Sequence, residues 1–371
     1  MFSIEDDELI NLIRGEEYKK YNTLMVNIKK WIYPFEITED EKKKMGDSYQ
    51  FLGNIKSIKL MDEFINKLMP YIDVLGIGLN KNNLRDKTSI ATSVIFYYGA
   101  MIYKYHFDVG SKNNDDLYKY TILYLLMDQY IDDINLDENI KNQAILQMAI
   151  LIKDPETYKN TKLVDPILKY MVIIYIELIN KYPNIKDVII NIFNVQIKGH
   201  INQKFSNLDR EVYYKISADK GGYTSQVLSH IFEMKDSKDI EYSYDIGVIV
   251  QLLDECSDIR EDRLNNIYTI AIYDLDNKGF LDDICIDMIN RISILGNKYT
   301  IIKIMLTYYV ILLISKNPQY YSSKLKNLIK PYNIFQYIDE KHGLNIIANY
   351  IIEYINKKLS PIYLDINDYR G

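Results

Sequence analysis

The feature that most constrains this chain is a helical period of hydrophobic residues that recurs along nearly its whole length. No segment shows the strict alternation of apolar and polar residues that is typical of a β-strand. Breaks are few, because the 371 residues include only 15 glycines and 8 prolines. Two of those prolines follow an aspartate, in Asp154-Pro155 and Asp165-Pro166, a pattern typical of helix starts. The sequence therefore predicts an all-α protein.

The organisation of the chain points to a single unit. Hydrophobic residues make up 48% of the chain, which is enough for one large core, and no linker, repeat or low-complexity segment divides it. We therefore predict one domain over residues 1–371, with N-terminal helices in 1–75 and the main bundle in 88–360. The later predicted helices are 116–134, 137–152, 166–180, 185–205, one from about 220–225 to 234, one from 239, 280–295, 299–315, one from 317 and 345–358.

Charge and composition exclude several partners. The net charge is −6 and no basic stripe is present, which argues against nucleic acid. The most apolar run, Ile301 to Ile314, is short for a membrane span and predicts a buried helix. The two cysteines, Cys256 and Cys285, lack metal-site spacing, and the N-terminus has no apolar signal region. We therefore expect a reducing, cytoplasmic compartment.

The most informative stretch runs from Gly247 to Thr269. It begins as an apolar helix and then turns acidic, with Asp254, Asp258 and Asp262 spaced four residues apart. We call these three residues the acidic ladder. On an α-helix this spacing stacks their carboxylates on one face, together with Gly247 and Gln251 further back. Oxygen ligands in this number suit Mg²⁺. The ordinary alternative is a solvated helix end, with Arg260 and Arg263 pairing with the acids.

A second acidic site follows another apolar helix. Asp128 and Asp132 are again four residues apart. The ordinary alternative is that Asp132, Asp133, Asp137 and Glu138 mark a solvated helix end and the next helix cap. Taken together, the two sites have a stronger interpretation. Two facing helices of this kind would hold divalent metals at the mouth of an apolar bundle, where the metals grip a diphosphate whose hydrocarbon tail lies in the core.

These motifs resemble those of the class I isoprenoid synthase superfamily, which includes trans-prenyltransferases and class I terpene synthases. Gln251-Leu-Leu-Asp254-Glu255-Cys-Ser-Asp258 is similar to the second prenyltransferase motif, with Glu255 replacing the second aspartate of DDxxD. The acidic ladder occupies the ligand positions of the terpene synthase form of that motif, with Asp in place of the usual Asn, Ser and Glu.

The first motif and a basic segment extend the resemblance over roughly residues 116–269. Asp128 to Asp132 is similar to DDxxD, with Gln129 replacing the second aspartate. Lys220-Gly221-Gly222 is similar to a lysine turn that contacts the diphosphate in this superfamily. The resemblance implies a class I terpenoid synthase bundle with a central apolar cavity, Mg²⁺ (three ions, or Mn²⁺ instead) and a homodimer.

Two departures refine the function that the resemblance implies. Chain-elongating members carry an Arg-Arg pair after the first motif and a Gly-Gly-Lys-x-x-Arg loop near the N-terminus. This chain has Ile134-Asn135-Leu136-Asp137 at the first place and only Lys81 and Arg85 in the corresponding loop. Both missing features serve the second substrate, so their absence favours an enzyme that ionises one prenyl diphosphate. We expect a terpene synthase that uses a C15 diphosphate and forms a terpene hydrocarbon or alcohol.

The resemblance also assigns roles to side chains. Asp128 and Asp132 would bind two Mg²⁺ ions, and the acidic ladder would bind a third. The expected diphosphate-binding residues are Lys220, Arg210, Arg263, Gln251, Lys330 and Tyr332. Ordinary explanations exist for several of them: Lys220 as a surface lysine, Arg210 as a partner of neighbouring acids, and Gln251 as a buried amide.

Three other functions stay open at this point. A short-chain trans-prenyltransferase would also use these motifs. A non-catalytic helical subunit, which keeps the fold and partners an active protein, would explain Gln129 and Glu255. A helical interaction scaffold unrelated to the superfamily would leave the two acidic runs exposed and scattered.

Overall fold

The computed structural model describes residues 116, 117, 119–121, 123, 127, 137–154, 166–296 and 299–329. About 82% of these residues are helical, and none of them lies in a strand. The predicted all-α class is therefore confirmed for the described part of the chain. The predicted N-terminal helices and the predicted helix at 345–358 lie outside these residues.

The helices begin and end close to several predicted positions. In chain order they are α1 (Glu138–Lys153), α2 (Pro166–Lys181), α3 (Ile185–Asn202), α4 (Arg210–Ile231), α5 (Ser237–Ser257), α6 (Ile259–Leu264), α7 (Ile270–Lys278), α8 (Asp282–Ile294), α9 (Thr300–Lys316), a 3₁₀ turn (Pro318–Tyr320) and α10 (Ser323–Ile329). Asp137 caps α1, where its side chain accepts a hydrogen bond from the backbone N–H of Asn139. Asn317-Pro318 opens the 3₁₀ turn, where the sequence predicted the start of a helix.

One predicted boundary is wrong. The sequence placed a helix start around Lys220 to Ser225, whereas α4 begins ten residues earlier, at Arg210, and runs through both glycines. Asp209 precedes α4 in an extended conformation (φ −63°, ψ 145°), so the helix starts at an aspartate as many helices do. A glycine in a helix interior costs about 1 kcal/mol relative to alanine, so the two glycines need a packing reason to be there.

That reason is the crossing of α4 and α5. The two helices run antiparallel: Ser217, Gly221 and Ser225 of α4 meet residues of α5 in descending order. At the centre, a Cβ atom on Gly221 would collide with the carbonyl oxygen of Gly247 and would lie 2.6 Å from the Cβ of Gln251. One turn away, the Ser243 hydroxyl donates to the carbonyl oxygen of Ser225 at 2.7 Å. Only glycines allow the two backbones to approach this closely.

The apolar half of α5 lies at the centre of the described helices. It packs against α4, α8, α9 and α7. Val248, Ile249 and Leu252 of α5 are fully buried, and so are Cys285 and Met288 of α8. This stretch of α5 therefore forms part of the hydrophobic core, although Val250 on the same helix is half-exposed. None of the helices in the described ranges is both long and apolar enough to cross a membrane.

The described residues between positions 116 and 127 are helical and run antiparallel to α4. Near the C-terminal end of α4, the carboxylate of Asp116 accepts a hydrogen bond from Tyr182 at 2.7 Å, and the charge of Glu233 acts on the same tyrosine. Further along, the Tyr120 hydroxyl donates to the carbonyl oxygen of Thr224 at 2.9 Å. The segment therefore runs from the end of α4 toward its middle, where Lys220 lies.

Candidate functional site

The acidic ladder spans the junction of α5 and α6. Asp254 lies in the last turn of α5, Asp258 separates the two helices with φ −98° and ψ 10°, and Asp262 lies in α6. The backbone N–H of Asp258 donates to the carbonyl oxygen of Asp254 at 3.0 Å, and that of Asp262 donates to Asp258 at 2.9 Å. Helical hydrogen bonding thus continues from each aspartate to the next. The predicted spacing on one face is retained, although the helix is not continuous as the sequence indicated.

The ladder concentrates negative charge. Partial desolvation, together with the charges of Asp254 and Glu261, raises the pKa of Asp258 to about 6. Partial desolvation also raises the pKa of Asp262 to about 7, with contributions from Asp258 and Asp254. Like charges that crowd together disfavour ionisation of each other. A bound cation would reverse this effect, because it favours the ionised carboxylates.

Lys220 lies beside the ladder. Its positive charge acts against the upward pKa shifts of both Asp262 and Glu255. The predicted lysine turn is wrong in its geometry, because Lys220 lies inside the continuous helix α4. The glycines that follow it serve the crossing with α5 instead of a turn: a Cβ on Gly222 would collide with the ring of Tyr244. The structure thus brings Lys220 and the ladder together across two helices.

Glu255 is a site residue whose position sequence reasoning missed. The sequence treated it as a substitution in the second motif, but the structure turns it toward α4, where it is only 5% exposed. Ser217 donates to one of its carboxylate oxygens at 2.9 Å, and Gln251 donates to the other at 3.4 Å. Burial raises its pKa to about 7, even though the hydrogen bond from Ser217 and the charge of Lys220 both lower it. The sequence did carry a signal, since Gly247, Gln251 and Glu255 recur every four residues and face the small residues of α4.

The two arginines pair with α7. The guanidinium of Arg210 makes two 2.8 Å hydrogen bonds to Asp274, which is fully buried. This pairing raises the pKa of Arg210. The sequence alternative of pairing with adjacent acids therefore named the wrong partner, since Asp274 lies 64 residues away. Arg263 pairs with Asp276 at the surface. Both groups are engaged by carboxylates of α7 rather than by those of the ladder.

The remaining predicted site residues lie outside the described residues. These are Asp128 and Asp132 of the first motif, and Lys330 and Tyr332. Within the described ranges, no three carboxylate, histidine or cysteine side chains converge into a ready-made metal site. The ladder still fits Mg²⁺ in its donor chemistry: it supplies hard oxygen ligands whose mutual repulsion a cation would relieve. Mg²⁺ commonly uses only one or two protein carboxylates, together with waters and substrate phosphates.

Comparison with protein-family models, curated proteins and solved structures finds no match to this chain.

Proposed function

We propose that this protein is a Mg²⁺-dependent class I terpene synthase that ionises a single prenyl diphosphate, most favourably the C15 compound. One observation carries the proposal: the acidic ladder and Lys220 lie at one end of a close-packed helix pair, and the buried face of that pair forms part of the hydrophobic core. Ionisation of a prenyl diphosphate needs charge neutralisation of the leaving group next to an apolar compartment. The arrangement of α4, α5 and the helices packed on them supports both requirements.

In this proposal the chain supplies three kinds of group. Asp254, Asp258 and Asp262 hold Mg²⁺, which neutralises the diphosphate and makes it a better leaving group. Lys220 contributes a positive charge at the same place and binds the diphosphate oxygens. Apolar side chains of the bundle exclude water from the hydrocarbon chain, so that an allylic cation would be cyclised or captured in a controlled way.

The course of the 116–127 segment also favours the proposal. Its described residues lead from the C-terminal end of α4 toward Thr224, one turn from Lys220. The predicted first motif, Asp128 to Asp132, follows this segment directly in the sequence. If one site uses both motifs, the 116–127 segment must run toward Lys220. A segment that ran the other way along α4 would carry the first motif away from the ladder.

The test is a product assay with purified protein, Mg²⁺ and C10, C15 or C20 prenyl diphosphates, read by gas chromatography–mass spectrometry. We expect a hydrocarbon or alcohol from one diphosphate alone, and its loss with a chelator. The double variant Asp254→Asn/Asp258→Asn should lose product formation. Glu241→Gln is the matched control, because Glu241 is an exposed carboxylate at the other end of α5. Silence of the wild type with every substrate would contradict the proposal.

A parallel reaction with isopentenyl diphosphate separates this function from chain elongation. A longer diphosphate that forms only with the co-substrate would identify a trans-prenyltransferase. The homodimer implied by the resemblance stays a prediction, which light scattering on the purified protein would test.

One observation favours a second candidate, a non-catalytic subunit of the same fold. Glu255, which replaces the second aspartate of the motif, is buried against Ser217 and does not join the ladder at the surface. A protein in which one carboxylate of the motif is buried would present less negative charge to metal ions. This candidate predicts no turnover by the purified chain, and recovery of activity only when a catalytic partner is added.

A further inference from the structure

The outward face of α1 carries no charge over about three helical turns. Every exposed residue from Asn139 to Ile150 is an isoleucine, a leucine or an amide. Ile140, Leu146 and Ile150 are 50%, 52% and 53% exposed. Charged residues make up 26% of the chain, so a run of neutral exposed positions on one helix stands out. Large apolar side chains that cluster on a surface mark a contact site for another molecule.

The opposite face of α1 already serves the fold. Ala144, Ile145 and Met148 are buried in the hydrophobic core, where α1 packs against α2 and α3. Ile140 and Ile150 lie on the other side of the helix, where about half of each side chain is open to solvent. The apolar character of this outward face therefore needs a reason other than the packing of α1 on α2 and α3.

The outward residues are arranged symmetrically. The 3–4–3 spacing of a coiled-coil stripe is followed by Ile140, Gln143, Gln147 and Ile150. Both isoleucines lie five residues from position 145, and both glutamines lie two residues from it. If two copies of α1 lay antiparallel across a two-fold axis at this level, isoleucine would face isoleucine and glutamine would face glutamine. Leu146 would meet its own equivalent beside the axis. A two-fold interface requires a surface that is complementary to itself in this way.

The ends of α1 favour the antiparallel arrangement. It places the first turn of each helix, next to the exposed Asp137, at the same end of the pair as the exposed Lys153 of the second copy. A parallel arrangement would instead place aspartate level with aspartate and lysine level with lysine. The partial charges at the helix ends act in the same direction, because each positive N-terminus then lies near a negative C-terminus.

We propose that the outward face of α1 is a homodimer interface, in which two copies of the chain pair their α1 helices antiparallel about a two-fold axis near Leu146. The second copy would cover the exposed parts of the two isoleucines and of Leu146. Gln143 and Gln147 can each donate and accept, so they would form hydrogen bonds across the axis. The inference does not depend on the proposed function, because α1 carries none of the acidic ladder.

The first experiment measures the oligomeric state of the full chain by sedimentation velocity over about a hundredfold range of protein concentration. We expect a dimer for the wild type. Leu146→Glu should weaken it by at least about a hundredfold, because each interface would then hold two carboxylates near its centre. Ile294→Glu on α8, where the isoleucine is 59% exposed, is the matched control and should remain dimeric. A wild type that is monomeric throughout, or a Leu146→Glu variant that dimerises as the wild type does, would overturn the inference.

Disulfide cross-linking tests the orientation. The native Cys256 and Cys285 are both buried, and oxidised wild type gives the background. Ile140→Cys and Ile150→Cys are oxidised separately and after exchange of subunits in an equal mixture. Antiparallel pairing predicts a cross-linked dimer only in the mixture. Within either variant the two introduced cysteines would lie about 15 Å apart along the helices, beyond the reach of a disulfide. Cross-linking of each variant alone would show parallel pairing, and no cross-link in the mixture would place the interface elsewhere; either result overturns the inference.

Discussion

The centre of the α4–α5 helix pair and its acidic end are built on opposite principles. At the crossing, Gly221 and Gly247 bring the backbones together, and the nearby polar groups are matched, as in the pair of Ser225 and Ser243 at 3.2 Å. At the acidic end, carboxylates lie next to other carboxylates, and their pKa values rise to between about 6 and 7. The crossing pairs its polar groups with one another, whereas the acidic end brings like charges together.

This contrast indicates that the acidic end is the candidate functional region. Buried and partly buried polar groups in folded proteins are generally paired, so a cluster of like charges on a rigid helix pair needs a reason outside the fold. A cation that binds there would supply the missing compensation. The close crossing gives the site its rigidity, because it fixes the position of Lys220 on α4 relative to the ladder on α5 and α6.

The largest effect is expected from Gly247→Ala, which would loosen the crossing of α4 and α5. The added Cβ would collide with the carbonyl oxygen of Gly221 and would lie 2.7 Å from the Cβ of Ser225. The helices would have to separate, and we expect a loss of about 3 kcal/mol in the free energy of unfolding, measured by chemical denaturation. Diphosphate binding should weaken as well, because Lys220 would move away from the ladder.

Gly199→Ala is the matched control for a helix-interior glycine. A Cβ there would lie 3.2 Å from the side-chain amide oxygen of Gln203, which can move aside. The change in stability should stay within about 1 kcal/mol in either direction, because the gain in helix propensity offsets a small adjustment. If both alanine variants behaved alike, the crossing would not be a special contact.

The next largest effect concerns the arginines that the sequence assigned to the diphosphate. Arg210→Met would leave the fully buried Asp274 with Lys278 as its remaining cation, 3.1 Å away. We expect a loss of about 2 kcal/mol in the free energy of unfolding, since it is costly for a fully buried carboxylate to lose one of its cationic partners. Arg263→Met removes an exposed pair with Asp276 and should lose less than about 1 kcal/mol.

Binding measurements on the same two variants decide the role of each arginine. If Arg210 acts only within the fold, Arg210→Met should bind inorganic diphosphate with Mg²⁺ as the wild type does, at a temperature where it remains folded. A loss of diphosphate binding at unchanged stability would instead show that Arg210 contributes to the binding site.

The sequence predicted those parts of the molecule that depend on local pattern. Hydrophobic period and helix caps gave the all-α class and the starts of α2 and α3, and the four-residue spacing gave the shared face of the ladder. The predictions were wrong where contacts between residues far apart in the sequence determine the structure. Gly221 and Gly222 are typical of a turn when read locally, but here they serve a helix crossing with residues more than 20 positions away. The partner of Arg210 and the inward orientation of Glu255 likewise depend on α7 and α4, which local pattern does not reveal.

The smallest expected effect gives the most direct test of the acidic end. Because the pKa of Asp262 rises from its ordinary value near 4 to about 7 on folding, the folded state binds more protons than the unfolded state between these pH values. Stability contributed by this residue therefore falls as pH rises through that window, and the full loss is present above pH 7. Asp262→Asn removes the charge, so at pH 8 the variant should be more stable than the wild type by a few tenths to about 1 kcal/mol. At pH 4 the two should agree.

Mg²⁺ should reverse the order of stability of the wild type and Asp262→Asn at pH 8. A cation that binds the ladder stabilises the folded wild type in proportion to its affinity, and Asp262→Asn would lose part of that gain. Thermal unfolding at pH 8 with and without Mg²⁺ would show the crossover, with Glu241→Gln following the wild type in both conditions. If Mg²⁺ left the wild type unchanged, the acidic ladder would not be a cation site. The acidic end would then be an ordinary solvated helix end, distinguished from the crossing only by its exposure.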